Sequence, residues 1–187
     1  MNGRTLLAGG LLIALGGLAT PAEARRADVR FLFDAAPGIT VPIADGDWRN
    51  FNSPSFKLSL RTGGELWFSR HFGIAGEIDT DLQPLLVTRS SADVRFRGLV
   101  GLRLLFGFRV GAFFIRQAIG VDLVGNGLRN GVKASEAALA VEPGVGMQFR
   151  FIRRGVVGFA VDFPIGFYGT PYFAADVQFL GFIGVRL

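Results

Sequence analysis

The sequence contains no cysteine, two lysines (Lys57 and Lys133) and one histidine (His71) in 187 residues. The missing cysteine excludes disulfides, thiolate-bound zinc, iron–sulfur clusters and thiol catalysis. Charged residues are only 19% of the chain, short of the roughly 25% usual in soluble domains. That scarcity excludes a disordered tail and argues against an ordinary soluble α/β enzyme. Beyond residue 24 no stretch is long and uniformly apolar enough for a membrane helix, which needs roughly 20 residues. What is abundant is glycine (27), phenylalanine (19) and apolar residues generally (50%), with mean hydropathy +0.40. Such a composition suits many short strands and a surface that does not face water everywhere.

The formal charge is +5, almost all of it arginine. The arginines are scattered, with Arg25-Arg26 and Arg153-Arg154 the only doublets. No basic run alternates with aromatics as a single-strand groove requires, so no nucleic-acid partner is expected.

Residues 1–24 have the anatomy of a secretory signal peptide. Arg4 supplies the basic start, Leu6 to Ala19 the apolar run, Pro21 the break, and Ala22-Glu23-Ala24 the small-x-small cleavage site. The expectation is cleavage after Ala24 and a single β-barrel domain over residues 25–187.

That remainder alternates with period two. In Glu136–Phe151, one parity is wholly apolar (Ala137, Leu139, Val141, Pro143, Val145, Met147, Phe149, Phe151) and the other holds every charge. This is a strand with one oily and one polar or small face. The pattern recurs about eight times, starting near Val29, Phe56, Phe72, Val94, Phe108, Glu136, Val157 and Phe173. In the fifth segment Phe108, Val110, Ala112 and Phe114 are assigned to the oily face, against Arg109, Gly111, Phe113 and Ile115. The fifth and eighth segments are the least clean. Pro143 and Pro164 mark expected bulges or breaks. Connections 40–54, 82–92 and 122–135 read as long and polar, whereas 69–71, the region of Gly107, and 152–155 read as short.

A soluble lipocalin-like barrel and a membrane barrel both fit period two, with opposite faces outward. The oily parity is nearly free of charge, and the polar parity is rich in Gly, Ala, Arg, Asp and Glu, which suits a crowded lumen. Phe31, Phe33, Val141, Phe159, Val161 and Phe179 are therefore expected to face lipid. Trp67, Phe68, Phe72, Tyr168 and Tyr172 gather near strand ends and are expected in the interfacial girdles.

With its leader, eight alternating strands and final strand FAADVQFLGFIGVRL, the chain resembles small bacterial outer-membrane β-barrel proteins, a group that includes OmpX, OmpW and the OmpA membrane domain. The resemblance covers the whole mature chain by pattern, not by a specific motif. It implies an all-β, eight-stranded antiparallel up-and-down transmembrane barrel in the outer membrane of a Gram-negative bacterium. It also implies contact with outer-membrane lipid and lipopolysaccharide, and insertion by the barrel-assembly machinery. The family's last strand usually ends in Phe; Leu187 stands there in this chain.

Parity places nine basic residues inside: Arg30, Lys57, Arg61, Arg95, Arg97, Arg103, Arg109, Arg150 and Arg186. It places ten acidic ones there: Asp34, Glu65, Glu77, Asp79, Asp81, Asp93, Glu136, Glu142, Asp162 and Asp176. Near-cancelling signs argue against an ion-selective ring and for pairing, because a lone enclosed charge is very unfavourable. The expected network is Lys57, Arg61, Glu77, Asp79, Asp81, Arg95, Arg97, Arg103, Glu142 and Asp162, plugging a lumen that is narrow in any eight-stranded barrel.

No catalytic residue, metal or cofactor is expected. Ser69 and His71 share a short turn on the presumed periplasmic side, without the geometry of a triad. Asp45-Gly46-Asp47 and Asp79-Thr80-Asp81 lack a calcium loop, and Gly125-Asn126-Gly127 lacks a dinucleotide fingerprint. Trp48 and Phe51 are aromatics of the first long loop. The sequence favours a monomeric, non-enzymatic, porin-like barrel with a structural or binding role through its outer loops. The alternatives are a narrow conduit for small hydrophobic solutes, a lipid A-modifying enzyme, and a soluble periplasmic binder.

Overall fold

The computed structural model of the chain describes residues 28–44, 54–85, 93–129, 132–168 and 173–187. The expected leader, Asp45 to Asp47, Trp48, Phe51 and Tyr172 lie outside them, as does the side chain of Asp93. Nine segments form: β1 (Asp28–Ala44), β2 (Ser55–Trp67), β3 (Phe72–Leu85), β4 (Asp93–Phe108), β5 (Gly111–Arg129), β6 (Val132–Arg150), β7 (Gly155–Asp162), β8 (Ile165–Phe167) and β9 (Phe173–Arg186). Each pairs antiparallel with its neighbour, and β1 pairs β9, closing the sheet on itself. Closure removes both ladder edges.

β7 and β8 both lie between β6 and β9, so they are two parts of one stave and the barrel has eight. The interruption falls at Phe163-Pro164, opposite Pro143. Proline donates no ladder hydrogen bond. The ladder is continued by Phe163 N–H donating to the Pro143 carbonyl at 2.8 Å and Asp176 N–H donating to the Pro164 carbonyl at 3.0 Å.

The third outer connection is shorter than the sequence implies. β5 runs on to Arg129 and β6 starts at Val132, with Arg129 opposite Val132, so most of 122–135 is hairpin strand. A register shift between Val124 and Gly127 absorbs the polar Gly125-Asn126 pair as a bulge.

Phe31, at 70% exposed, Phe33, Phe159 and Phe179 point outward, and Val141 and Val161 lie half-exposed on the same surface. Phe68, Phe72, Phe106 and Phe113 form an outward row at the short-turn end, with centroids 5.9, 6.0 and 6.3 Å apart in that order. Two aromatics depart from the expected girdle. Trp67 is only 6% exposed and Tyr168 only 5%. Each shares the inward parity of its stave, Trp67 with Glu65 in β2 and Tyr168 with Asp162 at the end of β7 and Gly166 in β8. Parity, not proximity to a strand end, decides where the ring goes.

The fifth segment is also corrected. Ala112 and Phe114 are buried, while Phe113 and Ile115 face outward. Parity carried through Phe108-Arg109-Val110-Gly111 fails because a two-residue turn pairs Phe108 with Gly111, and partners across a ladder share a face. Arg109 is consequently exposed in the turn. Arg150 is exposed and Arg30 half-exposed at the same rim, so three of the nine expected lumen cations lie at the mouth.

Candidate functional site

The interior is the chemically distinctive part of the molecule. Seven cations (Lys57, Arg61, Arg95, Arg97, Arg103, Arg116, Arg186) and nine carboxylates (Asp34, Glu65, Glu77, Asp79, Asp81, Asp122, Glu142, Asp162, Asp176) are buried there. All eight staves contribute at least one. All ten residues of the expected network are among them.

The pairs join into one connected web. Arg116 is its hub, contacting Glu77, Asp79, Glu142 and Asp162; its Nη2 donates to Asp79 at 2.7 Å. Arg61 holds Asp79 at 3.0 Å and Asp162 at 2.5 Å. Arg95 grips Asp122 at 2.5 Å and reaches Asp176 at 2.6 Å. Arg97 meets Asp122 at 3.1 Å and Glu142 at 3.2 Å. Lys57 sits 2.5 Å from Asp81 and 3.8 Å from Glu142, and donates to Gln178. Toward the short-turn end, Arg103 joins Asp34 to Glu77, and Arg186 joins Asp34 to Glu65 at 2.6 Å.

Several of these bonds cross the barrel. Arg95 on β4 and Asp176 on β9 stand on opposite staves, as do Lys57 on β2 and Glu142 on β6. Side-chain contact across the full width means the lumen is filled at those heights. Below them an apolar layer that includes Leu32, Trp67, Leu105, Phe114 and Phe182 packs in the same interior. The Arg103 guanidinium lies 4.9 Å from the Phe114 ring centre, tying the two layers together.

Glycine supplies the room. A Cβ on Gly144 would overlap the Asp162 carboxylate, and one on Gly184 would overlap that of Asp34. Both positions face inward, so the backbone itself forms the wall against which these acids rest.

The sequence does not reveal Arg116 and Asp122 as interior: Arg116 follows directly on a fifth segment whose parity is inverted, and Asp122 opens the stretch 122–135 that reads as a polar connection. The signal was present: Arg103 is inward and pairs directly with Arg116, so the β4 register alone places it.

Asp79, Asp81 and Glu142 bring carboxylate oxygens within 4.8 Å of one another, a spacing a divalent ion accepts. The chain's own cations already occupy their surroundings: Lys57 on Asp81 and Glu142, Arg61 and Arg116 on Asp79. At the short turn, Ser69 Oγ accepts from the backbone N–H of His71 at 3.2 Å and of Phe72 at 3.1 Å. His71 Nδ1 lies 3.3 Å from the Gly107 carbonyl and Nε2 accepts from Arg70 at 2.9 Å. Serine and histidine thus serve the turn and do not contact each other as nucleophile and base.

No protein-family profile matches the chain, and no curated protein matches it. Solved structures do share its fold. Neisserial surface protein A aligns with a TM-score of 0.55 at 9% identity, over 86% of this chain and 99% of that one. The attachment invasion locus protein Ail of Yersinia pestis, in complex with the heparin analogue sucrose octasulfate, aligns at 0.57 and 12% identity, over 86% and 99%. A second Ail structure aligns at 0.54 and 14%, over 85% and 97%. What the chain shares with these proteins is the closed eight-stranded antiparallel barrel of small outer-membrane proteins.

Proposed function

We propose that this chain is a monomeric, non-enzymatic barrel of the outer membrane of a Gram-negative bacterium, with a structural or binding role. Its leader is removed after Ala24, the barrel-assembly machinery inserts it, and its outer wall contacts phospholipid and lipopolysaccharide. The short turns face the periplasm and the opposite connections face the cell exterior, where they form the contact surface.

The observation that carries this reading is the arrangement of charge: sixteen ionisable side chains enclosed and mutually paired, beneath a wall of Phe, Leu, Ile and Val. A soluble barrel has the reverse arrangement, with its charges in water. The hydrocarbon core tolerates the apolar wall and cannot solvate charge, so a membrane barrel encloses it. The web also supports a closed lumen. A binding role is in keeping with the fold, since its neighbour Ail carries a sulfated saccharide in one structure.

The test is single-channel recording on the refolded protein in planar bilayers. A plugged barrel gives no discrete conductance steps. Reproducible steps from folded protein would exclude the plug and favour the narrow-conduit alternative.

A further inference from the structure

The topology gathers at the short-turn end what the sequence scatters. Arg30 lies near the start of β1 and Arg150 ends β6, while Arg70, Arg109, Arg153 and Arg154 occupy the three short turns. A cavity of about 720 Å³ in this mouth is lined by Arg30, Arg70, His71, Arg109, Arg150 and the Trp67 ring, among others. An adjoining cavity of about 430 Å³ shares Arg30 and Arg150 and adds Arg153 and Arg154.

Among the described residues, Asp28 is the only carboxylate lining either cavity, and Arg30 already holds it, with Nε donating at 2.8 Å. Arg70 donates to His71. Among the described residues, no carboxylate lies within ion-pair reach of Arg70, Arg109, Arg150, Arg153 or Arg154. The contrast with the interior is sharp. A few residues deeper, every buried cation has an acidic partner; at the mouth the positive charge is left open around two concave spaces. Guanidinium forks match phosphate oxygens two at a time and are weakly hydrated, so such a cluster selects that chemistry over a simple halide. Low-dielectric walls around a concave, single-sign site focus its field.

We propose that the turn-end mouth is an anion-binding site that takes two or more phosphate groups at once, on one molecule or on adjacent ones. One phosphate satisfies one or two guanidinium groups, whereas five open arginines spread over two adjoining cavities match several. Two sources share that chemistry: a soluble phosphorylated compound entering along the barrel axis, and the phosphodiester headgroups of neighbouring anionic lipids.

Trp67 forms part of the larger cavity, with the Arg30 guanidinium 5.8 Å from its ring centre. It therefore reports occupancy. In a Trp48→Phe background it is the only tryptophan. This protein, folded in zwitterionic detergent at low salt, is titrated with inorganic tripolyphosphate. A saturable change in Trp67 emission is expected, with a midpoint that rises with added salt. Arg109→Gln with Arg150→Gln is expected to weaken binding about tenfold or more through loss of two charged donors. Both side chains are exposed and outside the ion web, so the variant keeps its fold, checked by its heat-modifiable gel mobility. Arg109→Lys with Arg150→Lys recovers part of the loss, because the charge survives and the fork does not.

Nanodiscs separate the two sources. If headgroups occupy the site, phosphatidylglycerol discs raise the tripolyphosphate midpoint above that in phosphatidylcholine discs for the parent and not for the glutamine variant. If the ligand is soluble, the parent's midpoint is the same in both. No saturable change in the parent, or an equal midpoint in the glutamine variant, overturns the proposal.

Discussion

Arg116 touches four carboxylates, as many as Arg97 and more than any other cation of the described interior. Replacing it with Met removes one charge and leaves Glu77, Asp79, Glu142 and Asp162 short of their shared partner. Stripping one partner from a buried ion pair costs about 3–5 kcal/mol. Urea unfolding of Arg116→Met from lipid vesicles should show a loss of that order, while Arg109→Met in the turn stays within about 0.5 kcal/mol of the parent. An Arg116→Met as stable as the parent would mean the web is not what holds the lumen together. Gly144 makes a second, steric case. Ala at this position intrudes on Asp162 and drives it off Arg61, so Gly144→Ala should cost about 1–3 kcal/mol by overpacking, read by the same unfolding titration. Neither residue stands out in the sequence: Arg116 lies just beyond the segment whose parity the turn inverts, and glycine gives no parity signal.

Among the elements, the outward faces of the strands make the membrane reading testable. Val100 lies between Ile78 and Ile119 on the adjacent strands and is 63% exposed. Arg at that position in a hydrocarbon core should cost about 2–4 kcal/mol, measured by unfolding from phosphatidylcholine vesicles. On a soluble barrel the same change meets water and costs almost nothing, so a neutral Val100→Arg would sink the membrane assignment. Strand existence and facing were legible from period two because each stave has one wall of apolar groups and one of polar or small groups. Three things were not. The Phe108–Gly111 turn resets the parity without leaving a loop long enough to notice. Trp67 and Tyr168 look like girdle residues when judged by side-chain type, yet the pleat turns them inward. The polar composition of 122–135 disguises a hairpin that extends past the apolar band, where alternation no longer has an oily face to mark it.

For the whole molecule, the ion web and the closed sheet are the same fact seen twice. All but Arg116 and Asp122, fourteen of the sixteen web residues, are legible as charges on the inward parity. Their connectivity is not, because pairs such as Arg95–Asp176 and Arg61–Asp162 depend on barrel width and strand stagger, which no local window contains. The silent bilayer recording belongs at this scale, since a single bridge across the lumen does not decide conduction and the filled cross-section does.

The β1–β9 seam has a further consequence. Phe31 N–H donates to the Leu187 carbonyl at 2.8 Å and Leu187 N–H donates back to Phe31 at 2.9 Å, joining residues from the two extremes of the described chain. Such a contact has nearly the greatest sequence separation the chain allows, and it forms late because loop entropy must be overcome first. Until the ninth segment arrives, the curled sheet has two raw edges and a half-solvated core of acids and arginines. A shortened chain lacking β9 is thus destined for aggregation or proteolysis in transit, not for a smaller working barrel.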